Sequence, residues 1–235
     1  MAKKINPFEL DTHPPFSGFP KDALAFLRAL KENNTREWFL ENKPRYEDVL
    51  RAPMLALLDT LALRLQTIDP EIEIDPKKAI YRINRDVRFS ADKSPYKTSI
   101  AAAFTLRGYD RKTDAAYYFH IMPGQIGVGG GLYAPSGDQL KKLRAAVADQ
   151  PEALRQILDE ASFVKHFGAL TGDSLSRVPR GYEKDHPAAD LLQRKQFLAW
   201  TELPEKSIHT AGFADVLVDS FSAMTPFIRY LVKHS

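Results

Sequence analysis

Between residues 79 and 133 the apolar side chains recur at every second position, whereas on either side of that stretch they recur at helical spacing. A period of two belongs to a strand and a period near 3.6 to a helix, and one element cannot satisfy both. The chain must therefore place a sheet in its middle and helices at its two ends. The connections between the strands are too short for the crossovers that parallel pairing needs, so the sheet is expected to be an antiparallel meander. The predicted class is α+β: at least four strands in the middle of the chain, with helical N- and C-terminal segments packed on one face.

The N-terminal third reads as helix. Residues 1–15 form a loose arm ending in Pro14-Pro15, and residues 16–235 are expected to form a single domain. A helix follows Pro20 with Leu24, Phe26, Leu27 and Leu30 inward, and Asn33-Asn34 ends it. Thr35 is placed to cap a short second helix carrying Trp38 and Phe39. Pro44 opens a third, whose apolar series from Tyr46 to Leu65 is interrupted by Pro53; a kink or break is expected near Arg51.

The first strand is expected over 79–90, with Ala79, Tyr81, Ile83, Val87 and Phe89 on one face and Arg82, Asn84, Asp86 and Arg88 on an open one. Further strands are expected at about 98–107, at 115–122 around Tyr117, Phe119 and Ile121, and at 125–133 after a Pro123-Gly124 turn. Residues 138–149 and 151–160 read as a helical pair, 197–203 as a possible further strand, and 213–232 as a closing helix that tolerates Pro226.

Composition removes several chemistries. The absence of cysteine excludes disulfides, thiolate zinc sites, iron–sulfur ligation and cysteine nucleophiles. The start has two lysines with no apolar run behind them, unlike a secretory signal, and no apolar stretch approaches the roughly 20 residues of a membrane span. A cytoplasmic protein with no membrane partner is expected.

Charge is concentrated in one place. Residues 77–97 hold Lys77, Lys78, Arg82, Arg85, Arg88, Lys93 and Lys97 against Asp86 and Asp92, a net +5 in a chain whose total is +3. Focused positive charge attracts anions, and arginine forks suit phosphate and carboxylate. On a strand, Arg82, Asp86 and Arg88 would form a row with roughly 6.5–7 Å between neighbours. Arg85 would point to the apolar side and must find a carboxylate, a ligand or the sheet edge. Lys93, Tyr96 and Lys97 follow in a loop stiffened by Ser94-Pro95. Against this anion site stands a plain alternative, a salt-bridged surface in which Asp86 and Asp92 neutralise their neighbours.

Gly127, Gly129 and Gly131 share one face of the fourth strand and leave a trough without side chains. The run fails the dinucleotide and P-loop glycine patterns, so it reads either as a place where a helix or backbone approaches closely or as the floor of a ligand site. Ser90-Ala91-Asp92-Lys93 and Ser94-Pro95-Tyr96-Lys97 match the serine–lysine nucleophile pattern, but the match is short, and Pro95 breaks the helical spacing the mechanism needs. The six histidines show no local metal spacing, and no metal is expected. The acidic run Asp69-Pro70-Glu71-Ile72-Glu73-Ile74-Asp75 reads as a solvated edge leading into the sheet.

Four stretches carry a resemblance. They are Phe16-Ser17-Gly18-Phe19 with Asn33-Asn34-Thr35-Arg36-Glu37-Trp38-Phe39; residues 81–98 with their Arg-Asp-x-Arg-Phe-Ser-x-Asp-Lys-Ser-Pro-Tyr-Lys core; residues 129–135; and Arg177-Val178-Pro179-Arg180-Gly181-Tyr182. Together they resemble an uncharacterised family of bacterial and fungal conserved hypothetical proteins, over roughly residues 16–231. The resemblance implies one full-length, usually cytoplasmic domain and brings no activity, cofactor or catalytic residue. The functional expectation therefore comes from the residues alone. It is a domain that binds, and possibly acts on, a small phosphate- or carboxylate-bearing ligand through Arg82, Arg85, Arg88, Lys93 and Lys97, with Asp86 or Asp92 orienting an arginine or serving as base. Tyr96 would be a nearby donor, and Gly127, Gly129 and Gly131 the floor. A non-catalytic interaction domain is the alternative, and a nucleic-acid module is third, since no known nucleic-acid motif is present.

Overall fold

Helix α1 (Asp22–Glu32) begins the described chain's regular structure, and in it Leu24, Phe26, Leu27 and Leu30 turn inward as their spacing requires. The computed structural model describes residues 13–88 and 90–235. Most of the expected loose arm lies outside those residues, as does Phe89. Helix α2 (Arg36–Glu41) starts where Thr35 accepts the Trp38 N–H, the expected cap.

Helix α3 (Lys43–Tyr46) passes into a π-helical turn (Glu47–Arg51) and then α4 (Ala52–Ile68). The expected interruption at Arg51 takes this form for a physical reason. Pro53 has no N–H to offer the carbonyl four residues back, and Ala52 donates instead to Glu47, five residues back. The chain absorbs the proline without breaking, which keeps Leu50, Met54, Leu57, Leu58, Leu61 and Leu65 buried.

Among the described residues five strands form one antiparallel sheet in chain order: β1 (Ile72–Glu73), β2 (Ile100–Leu106), β3 (Ala116–Met122), β4 (Gln125–Leu132) and β5 (Phe197–Leu203). Strands β2 to β4 lie where the alternation places them, and β5 where a possible further strand is expected. The strand expected over 79–90 does not form. Pro76–Ala79 is instead a single helical turn, α5, capped by Asp75, which accepts from Lys77 N–H and Lys78 N–H. Beyond it the chain pairs intermittently, at Ile80 with Ala102 and at Asn84 with Tyr96. The edge of the sheet is instead β1, inside the acidic run. Nor is the second face of the sheet open along β2, all seven residues of which are buried; in β3, Tyr118, His120 and Met122 are half-buried.

The chain divides into two compact units, one of residues up to Ala102 with His120–Ile126 and Leu203–Val218, the other of Ala103–Phe119, Gly127–Glu202 and Asp219–Ser235. In the first unit, Phe16-Ser17-Gly18-Phe19 packs with Phe213. The Phe16 and Phe19 rings are 5.6 Å apart and the Phe19 and Phe213 rings 6.4 Å apart. Gly18 is obligatory there: its φ is +114°, and a Cβ would lie 2.5 Å from the carbonyl carbon of His209. His209 lies in a 3-10 turn (Glu205–His209), whose Ile208 carbonyl accepts the Phe19 N–H at 2.7 Å.

The second unit carries α6 (Gly137–Asp149), α7 (Pro151–Leu158), α8 (Ala161–Phe167), α9 (Ala189–Leu192) and most of α10 (Gly212–His234). Stacked Phe104 and Tyr117, 5.0 Å apart, both meet the edge of Phe221. The Tyr117 hydroxyl donates to Thr225, so the ring is buried with its polar end satisfied. Pro226 sits inside α10 without ending it, because the helix buries Phe221, Met224, Phe227, Ile228 and Leu231 around it. Each fully buried side chain of this size contributes about 1.5–3 kcal/mol, comparable with the cost of one internal proline.

Candidate functional site

The cationic stretch belongs entirely to the first unit and, beyond the α5 turn, is a pinned loop, not a strand. Two aspartates turn it. Asp86 accepts the Arg88 N–H and Asp92 accepts the Ser94 N–H at 2.9 Å, each bonding the backbone two residues on. Such turns divert backbone donors from a ladder, which is why the alternating pattern of 79–90 fails to become a strand.

The same aspartates neutralise two arginines. Arg88 donates two parallel bonds to Asp86, at 3.0 and 2.7 Å, and Arg85 pairs with Asp92. Arg88's guanidinium and N–H, with Arg82's charge beyond, hold Asp86 below its ordinary carboxylate range. Ser94, through its side chain and its N–H, then Arg85, hold Asp92 well below it. Both carboxylates are ionised and committed at neutral pH, and neither has the raised pKa of a general base. Arg85 meets a carboxylate, Asp92, although the strand from which its direction was expected does not form.

The remaining cations differ. Lys93 donates to the Val87 carbonyl at 3.0 Å and Lys97 to the Arg82 carbonyl at 3.2 Å. The Lys97 ammonium also lies 5.3 Å from the centre of the Tyr81 ring. The exposed Arg82 guanidinium makes no side-chain hydrogen bond among the described residues. No carboxylate lies within ion-pair distance of Arg82, Lys93 or Lys97 among those residues. Burial and then the Arg82 charge push the Lys97 pKa below that of an ordinary lysine. At the start of the stretch, Lys78 pairs with Asp75 at 3.1 Å.

Tyr96 is an anchor and not an exposed donor. Its buried ring stacks on Phe39, 4.1 Å away, and Phe39 in turn packs on Tyr46, whose phenol burial pushes up to about 12. The backbone around it closes the loop on itself: Arg85 N–H donates to Pro95 and Lys97 N–H to Ile83. Asn34, Phe39 and Tyr81 are neighbours of the loop that were not among the candidate site residues. Asn34 looks like a helix end, and nothing local shows that it reaches a residue 62 positions away.

The glycine stretch, in the second unit, is filled by protein. A Cβ on Gly129 would lie 2.3 Å from the Ala199 carbonyl and 2.6 Å from the Trp200 ring, and one on Gly131 would lie 2.0 Å from the Phe197 carbonyl. Gly130 is closed by Ala116 and the Met224 sulfur, each 2.5 Å from such a Cβ. Close packing on β5 and α10 therefore accounts for these glycines, and an open floor at Gly129 and Gly131 is ruled out. Gly127 is buried in the same strand.

Among the described residues no helix is long and apolar enough to cross a membrane, and no group of three or more histidines and carboxylates is placed to hold a metal ion.

The model of one family, described as conserved hypothetical protein (DUF2461), matches residues 22–230. The chain belongs to that family. No curated protein and no solved structure matches it.

Proposed function

We propose that the loop 82–97 is the binding site of a small anion, a phosphate or carboxylate borne on a metabolite, with Arg82, Lys93 and Lys97 as its ligands. One observation carries this reading: among the described residues these three cations have no carboxylate within ion-pair distance, whereas Asp86 and Asp92 bind Arg88 and Arg85. Their positive charge is uncompensated within the loop, and two of them are tied by backbone carbonyls that leave further N–H donors to offer. Arg85, Arg88, Asp86, Asp92 and Tyr96 hold the frame. A nucleic-acid reading finds less support, since Tyr96 is buried and Tyr81 is covered by Lys97, which leaves no row of stacking rings among the loop's described residues. The setting we assign is cytoplasmic, where such metabolites are abundant.

The test is thermal unfolding of the full chain with orthophosphate, pyrophosphate, a sugar phosphate and a dicarboxylate at two salt concentrations. A ligand at about 100 times its Kd adds roughly 2.7 kcal/mol, several degrees for a chain of this length. The expected result is a shift with one of these anions that Arg82→Ala abolishes. Equal shifts in the wild type and Arg82→Ala overturn the assignment.

A further inference from the structure

We propose that Arg36, at the start of α2, is a further ligand of the anion site, and that the molecule bound there carries a diphosphate, one phosphate on the loop's cations and the other on Arg36. This rests on the anion reading above and adds to it a second element and a substrate class.

The arginines of the N-terminal helices single Arg36 out. Arg28 pairs with Glu205, Arg45 with Asp22, Arg51 with Glu47 and Arg64 with Asp215. Arg36 is exposed and makes no side-chain hydrogen bond or ion pair among the described residues. Glu37 follows it directly, but adjacent residues on a helix do not face each other, and no pair forms between them.

Tyr96 brings Arg36 to the cationic loop. The Asn34 side chain bonds the Tyr96 N–H and carbonyl, both at 3.0 Å, and the Phe39 ring stacks 4.1 Å from that of Tyr96. Arg36 lies between these two anchors in the chain, only two residues from Asn34, a backbone separation of at most about 7 Å. On the other side Lys97 directly follows Tyr96, and its ammonium sits 3.2 Å from the Arg82 carbonyl. The Arg82 charge is felt there, since it adds to burial in lowering the Lys97 pKa. All of these residues belong to the first unit.

Charge gives the substrate class. Arg36 joins Arg82, Lys93 and Lys97 as a cation with no carboxylate within ion-pair distance among the described residues. The loop's three cations suffice for one phosphate. A diphosphate presents a second, adjoining set of acceptor oxygens, and the planar fork of N–H donors on Arg36 suits that set.

The test is isothermal titration of the full chain with pyrophosphate and with orthophosphate in metal-free buffer. Wild-type protein should bind pyrophosphate at least about tenfold more tightly than orthophosphate. Arg36→Ala should weaken pyrophosphate about tenfold and leave orthophosphate within about twofold, so that the preference vanishes, and Arg36→Lys should restore part of it. Arg28→Ala, which removes an arginine already paired, is the control and should leave the preference intact. Pyrophosphate binding that Arg36→Ala does not change overturns the proposal, as does an equal loss in Arg28→Ala, which would mark a general charge effect. If orthophosphate binds through Arg82 and wild-type protein shows no preference for pyrophosphate, the diphosphate and Arg36 are overturned and the anion site stands. If neither anion binds, the proposal falls with the reading beneath it. The preference is measured on the wild-type chain, so its failure does not depend on the folding of any variant.

Discussion

Asn34 satisfies both backbone groups of Tyr96: its Oδ1 accepts the Tyr96 N–H at 3.0 Å and its Nδ2 donates to the Tyr96 carbonyl at 3.0 Å. The amide side chain thus does the work of a neighbouring strand, and it ties the segment between α1 and α2 to the cationic loop. Phe39 completes the tie by stacking on the Tyr96 ring. These contacts join two of the stretches that carry the family resemblance.

Replacing Asn34 with alanine leaves both Tyr96 groups without that partner. A loss of about 1–3 kcal/mol is expected, seen as a melting point lower by several degrees. The Tyr96 amide should also exchange its hydrogen much faster. Unchanged exchange there would show that the loop is held by something other than Asn34.

Arg82 and Arg85 should separate cleanly. Arg82→Ala removes an exposed side chain that makes no hydrogen bond among the described residues and should change stability by no more than about 0.5 kcal/mol while weakening phosphate binding. Arg85→Ala releases the Asp92 carboxylate beside the site, so it should weaken binding through like-charge repulsion and loosen the loop as well. Isothermal titration with phosphate, alongside thermal melts of both variants, decides the matter. Raising the salt should weaken wild-type binding, because these cations are exposed and screened.

Acid should open the loop late. Asp86 and Asp92 both have folded pKa values below the unfolded value near 4. A depressed folded pKa contributes stability that is complete above the unfolded value and is lost as pH falls from there through the folded one. The amide resonances of Arg88 and Ser94 should therefore hold steady from neutrality to about pH 5 and move only below about pH 4. A midpoint above that range would contradict the pairing of these carboxylates.

Gly131 has φ of +126° and the Phe197 carbonyl in the place of a side chain. Gly131→Ala combines backbone strain with a clash against a strand that cannot yield, and should cost more than about 3 kcal/mol. Gly108→Ala is the control, since its Cβ would meet nothing within 4 Å and only the backbone conformation is penalised. Similar losses in the two variants would argue against tight β4–β5 packing as the reason for the glycine.

How far the site was legible depends on the range of each interaction. The cationic run and the stiff Ser94-Pro95 step follow from neighbours in sequence, whereas the choice of Asp92 for Arg85, among a carboxylate, a ligand and the sheet edge, does not. The strand assignment of 79–90 failed because Asp75, Asp86 and Asp92 turn their carboxylates onto nearby N–H groups, which a period count does not see. The glycine run was correctly placed in a strand, but what fills it comes from residues about 70 and 90 positions away.

The sequence by itself determined the succession of helix, sheet and helix, the late strands β2 to β5, the Thr35 cap, the proline interruption near Arg51 and the location of the excess positive charge. These depend on periodicity, capping and composition, which act over a few residues. Only the tertiary structure decided which cations keep their charge uncompensated, that Tyr96 is a buried anchor held by Asn34, and that β5 and α10 close over the glycines. Those outcomes depend on contacts between distant parts of the chain, whose partners are chosen by packing and cannot be read from spacing.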